Sequence, residues 1–254
     1  MVGIFLWKEP RPGKRQRSVT VREVSILHMR FLQAEILRGP KTPEAVVRRR
    51  AAAAGNRLRK QGVTRVILPE TFDCAAQLSK CGLRPASTLP LRRELAADWT
   101  RWLLAEKGVP TAGARVAVTA AQLTGEAVRT VTELTLRHRY VLLDLPYGGE
   151  ELCRQLRREY GVSLLLGPSK DQLEGAEALV LFDRRTDLAC KNPAVLPLYD
   201  ETAPLPPLSL PPALEEKLPG GLDRPQLLAV LREAGVLRPG QISLGPAAPL
   251  TAEA

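Results

Sequence analysis

Asp144 stands at the end of an apolar run that begins at Tyr140, and it lies 25 residues after Thr119, which follows a shorter run over Arg115–Val118. In a parallel α/β sheet, a carboxylate at about that interval can accept hydrogen bonds from ribose hydroxyls. The turn after the earlier strand then presents helix-opening amides to phosphate. That turn, Thr119 to Gly125, carries only the last glycine of the dinucleotide fingerprint, so its backbone cannot approach a pyrophosphate in the usual way. With no full glycine-rich fingerprint, no cofactor is assigned. Asp144 also reads as an ordinary turn- or helix-capping carboxylate.

Two further turns could add to the same edge. Pro146-Tyr147-Gly148-Gly149 precedes a helical pattern, so its amides could form a small anion nest. Ser169 and Lys170 follow the next apolar run, although Ser169 with Gln172 is equally a capping box that needs no ligand. Together with the hydroxyls of Thr119 and Thr124, the candidate ligand-binding set is Thr119, Thr124, Gly125, Asp144, Tyr147, Gly148, Gly149, Ser169 and Lys170. The ligand they suit is small and anionic or nucleotide-like. Glu70, Asp144, Asp183 and Asp200 also fall at or after strand ends and could hold Mg²⁺ if adjacent, but the sequence fixes none of their distances and no metal site is assigned. Whether any reaction follows binding is left open.

Several chemistries are excluded by what the chain lacks. There is no G-x-S-x-G nucleophile elbow and no Walker pattern. His28 and His138 have no partner at ligand spacing; the first borders an apolar stripe and is expected to pack, the second sits near a helix end. Cys74, Cys81, Cys153 and Cys190 lack the close pairing of a zinc site and read as reduced structural thiols.

These residues need a scaffold, and the middle of the chain supplies one. Strands are expected at Arg115–Val118, Tyr140–Leu145, Val162–Leu166 and Ala178–Phe182, with helices between them at Leu123–His138, Glu150–Tyr160 and Ser169–Gly175. Their apolar runs are continuous, as in parallel strands covered on both faces. On helix Leu123–His138, Glu126, Arg129, Glu133 and Arg137 should form a ladder of intrahelical pairs. The fold class expected is α/β, a Rossmann-like parallel sheet flanked by helices, with an α-rich N-terminal region and a proline-rich C-terminal extension. The segments are an apolar tip and basic connector over 1–18, a helix-rich region with one or two strands over 19–110, the α/β core over 111–200, and a proline-rich strap, short helix and tail over 201–254. In the N-terminal region Thr20 and Glu23 match a capping box that opens a helix running to about Arg38, and Thr42-Pro43-Glu44 starts a second.

Charge is unevenly placed. The first 60 residues carry 15 Lys or Arg against 4 Glu, whereas the remainder carries 22 against 23 acids. This basic segment, residues 8–60, is open to three readings: a solvated face, a weak contact with nucleic acid, or docking to an acidic protein. Aromatic residues make up only 4% of the chain, which argues against stacking platforms for single strands. No apolar stretch is long enough to span a bilayer without charge, so no membrane association and a cytoplasmic location are expected.

Overall fold

In a computed structural model, which describes residues 1–10, 16–111 and 113–245, Val2–Lys8 forms β1, the middle strand of a five-stranded sheet. Its neighbours are β3 (Met29–Leu37) and β4 (Arg65–Ile67), both parallel to it; β2 (Val19–Ile26) lies antiparallel outside β3, and β5 (Arg84–Pro85) parallel outside β4. Helix α1 (Glu44–Lys60) joins β3 to β4, and α2 (Ala75–Lys80) joins β4 to β5. Phe5, Ala34, Ile36 and Val66 pack against Val47, Ala51, Ala54 and Leu58 of α1, the apolar stripe that makes this helix amphipathic.

The helix expected over Thr20–Arg38 is a β-hairpin. Thr20 caps nothing and is a strand residue opposite Glu35. Val19, Val21, Phe31 and Ile36 are β-branched or aromatic residues that suit a pleated surface, and β1 offers β3 a full seven-residue partner. The two-residue turn uses Leu27 (φ 47°) and His28 (φ 69°), both left-handed without glycine, which hid the hairpin from composition. His28 is exposed on this turn and does not pack. The N-terminal region is therefore a mixed sheet with helices. In α1 the start is one residue off: Pro43 occupies the cap position, and the Thr42 hydroxyl accepts from Gly39 N at 2.9 Å.

The chain divides into two units, one comprising Met1–Thr88 with Leu208–Ser243 and the other centred on Leu89–Pro207. In the first, α8 (Pro212–Glu215) and α9 (Arg224–Glu233) follow the proline-rich stretch. Asp223 caps α9 by accepting from Gln226 N at 2.9 Å, and its own N–H donates to Leu68 O at 2.8 Å, which ties the helix to the end of β4. Cys74 and Cys81 flank α2, and all four cysteines are free thiols.

The second unit opens with α3 (Leu89–Glu94) and α4 (Ala96–Glu106), and continues as strands and helices in alternation: β6 (Arg115–Thr119), α5 (Gly125–Thr135), β7 (Tyr140–Asp144), α6 (Gly149–Tyr160), β8 (Leu165–Leu166), α7 (Lys170–Glu174), β9 (Ala178–Leu181) and β10 (Ala194–Pro197). All five strands are parallel, in the order β10-β9-β6-β7-β8. Numbered within the unit this is the order 3-2-1-4-5 of a doubly wound sheet, read from β8 to β10. Successive residues go to opposite faces. Val116, Val118, Leu143 and Val180 meet Trp99, Val131, Leu134, Leu152 and Leu156 on one face. Ala117, Leu142, Leu179 and Leu181 meet Leu173, Ala176 and Leu188 on the other. Both faces are covered, which is why the strand sequences are continuously apolar. The strand expected from Val162 is confined to two residues of β8, because its edge position gives it only one partner. Of the charge ladder on α5, only Arg129 to Glu133 remains within the helix; Glu126 pairs with Arg93 of α3 and Arg137 with Asp98 of α4.

Candidate functional site

The doubly wound order places a switch point between β6 and β9, the strands from which the chain departs in opposite directions. A crevice of about 280 Å³ opens there, at the carboxyl edge, lined by Thr119, Ala120, Ala121, Asp144, Pro146, Asp183, Arg184 and Arg185. Each lining group comes from the residues at or just after a strand end. β6 delivers Thr119, β7 delivers Asp144, and the segment after β9 delivers Asp183 to Arg185.

Arg185 is the organising side chain. It follows β9, on one flank of β6, yet its Nη1 donates to Asp144 Oδ2 at the end of β7, on the other flank. The guanidinium therefore bridges across the end of β6. Its Nε and Nη2 donate to both oxygens of Asp187 at 2.8 Å each, a fork that matches the carboxylate plane. These bonds, Asp187 first and Asp144 second, push the Arg185 pKa further above its ordinary value, and they pull Asp187 down to about 2. Arg185 is a fixed positive charge at every accessible pH.

The other donors and acceptors are arranged around it. Asp183 Oδ2 accepts from Ala121 N at 2.7 Å, so the amide that would otherwise face a ligand in the first turn is already engaged. Below it, Thr119 is 1% exposed and its hydroxyl oxygen is buried without a hydrogen-bond partner. A buried hydroxyl left without a protein partner costs about 1–3 kcal/mol.

Of the residues singled out from sequence, Thr119 and Asp144 line this crevice. Thr124 caps α5, its hydroxyl accepting from Ala127 N at 3.2 Å, and Gly125 is the first residue of that helix. Gly148 has φ +81° and lies under Leu123, whose Cδ2 would be 3.0 Å from an added Cβ, so backbone and packing explain it. Gly149 starts α6 behind two acidic residues, Glu150 and Glu151, which already serve the helix dipole. Tyr147 is 85% exposed. Ser169 and Gln172 complete a reciprocal capping box, and Lys170 lies 3.6 Å from Glu174. Arg185 and Asp187, the strongest electrostatic features, had no sequence signal beyond standing after a strand.

A dinucleotide does not fit these residues. Ala120 and Gln122 stand where the first two glycines belong, the Ala121 amide is taken by Asp183, and a Cβ at Gly125 would meet open space, so the close helix packing that the third glycine permits is absent. Of the four acids considered for Mg²⁺, Glu70 belongs to the first unit and Asp200 caps its own turn through Thr202. Among the described residues, no group of three or more His, Cys, Asp or Glu side chains is placed to hold a metal ion, and no helix is long and apolar enough to cross a membrane.

Much of the basic N-terminal charge is spent inside the first unit. Lys8 and Arg22 pair with Glu35, Arg48 with Glu44, and Arg50 and Arg57 donate to the carbonyls of Leu37 and Val19. Arg11, Lys14 and Arg15 lie outside the described residues.

No family model matches the chain, and no curated protein is similar to it in sequence. Among solved structures it is similar to L-tryptophan dehydrogenase from Nostoc punctiforme (13% identity, 59% of this chain and 44% of that one, TM-score 0.28). It is also similar to a D-lactate dehydrogenase from Treponema pallidum (14%, 60% and 49%, 0.30) and to the catalytic subunit of M. jannaschii aspartate transcarbamoylase (15%, 59% and 51%, 0.28). The chain spans about half the length of each of these proteins. TM-scores this low carry no functional argument, and the α/β assignment rests on the strand order itself.

Proposed function

We propose that the second unit binds a small ligand carrying neighbouring hydroxyls and an anionic group, of the ribose phosphate kind, in the crevice at the carboxyl edge of its sheet. The observation that carries this reading is the Arg185 bridge over the end of β6 to the Asp144 carboxylate, in a crevice that Thr119 also lines. Asp144 can accept from the hydroxyls, as a carboxylate at the end of the second strand does in folds of this order. Arg185 keeps its fork to Asp187 and exchanges the Asp144 contact for a phosphate oxygen, replacing one charge-assisted bond by another. The crevice volume suits a sugar phosphate and is too small to enclose a dinucleotide.

The test is isothermal titration calorimetry of the full chain with ribose 5-phosphate, 2-deoxyribose 5-phosphate and inorganic phosphate. Ribose 5-phosphate should bind roughly tenfold or more tightly than the deoxy compound, because a hydrogen bond to a carboxylate is lost. Asp144→Asn and Arg185→Gln should each weaken it. Equal affinity for the sugar pair, or unchanged binding by both variants, overturns the reading.

A further inference from the structure

The opposite, amino-terminal edge of the same sheet carries a second cleft, of about 630 Å³, whose lining includes Arg115, Arg139, Tyr140, Arg157 and Leu165. Its charge is differently disposed from that of the carboxyl-edge crevice. Arg115 is neutralised by Glu177, with Nη2 to Oε1 at 3.0 Å and Nε to Oε2 at 3.2 Å, and forms a wall. Arg139 and Arg157 have no carboxylate within ion-pair distance among the described residues. The Arg139 guanidinium lies instead over the ring of Tyr140, 5.4 Å from its centroid.

The apolar side of the cleft is equally unusual for a strand end. Tyr140 is 47% exposed and Leu165 45% exposed, and they extend the buried surface of Val141 and Leu142 into solvent. β8 is the outermost strand and only two residues long, so nothing in the sheet covers Leu165 on its far side. A cleft lined by two guanidiniums without a carboxylate partner and by an exposed aromatic and aliphatic surface matches one ligand chemistry. The guanidiniums take a phosphate, sulfonate or carboxylate group, and the apolar surface takes a planar or apolar body. A bare inorganic anion would leave that surface wet, and a neutral aromatic would leave both charges unused.

We propose that this amino-edge cleft binds an organic anion with an aromatic or similarly apolar body, held by Arg139 and Arg157 and packed on Tyr140 and Leu165. The site shares no residue with the carboxyl-edge crevice and stands or falls separately from the ribose phosphate reading.

The probes are phenyl phosphate, inorganic phosphate and phenol, titrated into the ¹⁵N-labelled full chain and followed by amide chemical shifts. Phenyl phosphate should bind at least roughly tenfold more tightly than either fragment, since charge and apolar contact add. Its perturbations should centre on Tyr140, Val141 and Leu165. Arg139→Ser combined with Arg157→Ser, at exposed positions where folding can be checked from the unperturbed remainder of the spectrum, should weaken it by about tenfold or more. Affinity for phenyl phosphate no better than for phosphate, perturbations centred on Asp183 to Arg185, or a folded double variant that binds as the parent does would each overturn the proposal.

Discussion

The two five-stranded sheets of this protein place their charges differently. In the first, charge sits within the strands: Glu35, in the middle of the β1-β3 pairing, is 8% exposed and is held by Lys8 at 2.5 Å, Arg22 at 2.8 Å and Gln33 at 3.1 Å, from its own strand and both neighbours. In the second, the bodies of β6, β7 and β9 contain only Val, Ala and Leu, and charge begins where the strands end, at Arg115, Asp144 and Asp183. A carboxylate surrounded inside a sheet can only hold strands together. One at a strand end borders an open crevice and can exchange its partner for a ligand. The difference gives the first sheet's charges an architectural role and is what the proposed carboxyl-edge site rests on.

The largest effect should come from the purely apolar sheet. Leu143→Ala removes a side chain 1% exposed between α5, α6 and the sheet, and should lower stability by about 2–5 kcal/mol, read from urea denaturation followed by tryptophan fluorescence from Trp99 and Trp102. A loss no larger than that of a surface substitution would break the contrast between the sheets.

Next is Glu35→Gln, which should cost about 1 kcal/mol, since Lys8 and Arg22 are themselves partly exposed and screened. The Lys8 hydrogen bond, supported by Arg22 and Gln33, outweighs burial and holds Glu35 below its ordinary value of 4.5. A depressed carboxylate contributes stability that is complete above the unfolded pKa and lost as pH falls through the folded one. Acid destabilisation below about pH 4.5 should therefore be shallower in the variant, with the change seen in hydrogen exchange of β1 and β3 amides.

A smaller effect is expected at His138, buried after α5 with its Nδ1–H donating to Thr111 O at 3.2 Å and its Nε2 without a partner. Burial lowers its pKa from the ordinary 6.5, against the opposing Thr111 bond. The unfolded chain then takes up the proton first as pH falls, so stability declines from about pH 6.5 down through the folded pKa. Melting temperature between pH 7 and pH 5 should fall less in His138→Gln.

The smallest change belongs to Asp187→Asn. Asp187 is exposed and screened, so the melting temperature at pH 7 should stay within error of the parent, while Arg185, freed from its fork, should bind inorganic phosphate differently in calorimetry. A large loss of stability would mean that the carboxyl-edge charges are architectural after all.

How much of this was legible beforehand follows from the same contrast. Strands buried on both faces must be continuously apolar, so Val116 to Val118, Tyr140 to Leu143 and Ala178 to Leu181 read as strands from local sequence. The β2-β3 hairpin, exposed on part of one face, mixes charged and apolar residues, and Thr20 with Glu23 imitated a helix cap. Its turn, built on Leu27 and His28, lacked the glycine or asparagine that marks such turns. Ser169 was legible as a cap because its bond partner is three residues away.

The sequence by itself determined the alternation of the second unit, the Ser169 cap of α7 and the place of Asp144 at a strand end, because each depends on residues within a few positions. The tertiary structure alone decided strand order, and strand order brings Arg185 over β6 to Asp144, 41 residues away. It also decided that Asp183 would engage Ala121 and that Thr119 would keep a buried, unpaired hydroxyl. Long-range pairings leave no periodic trace in the chain, since the partners share geometry only after the sheet has assembled.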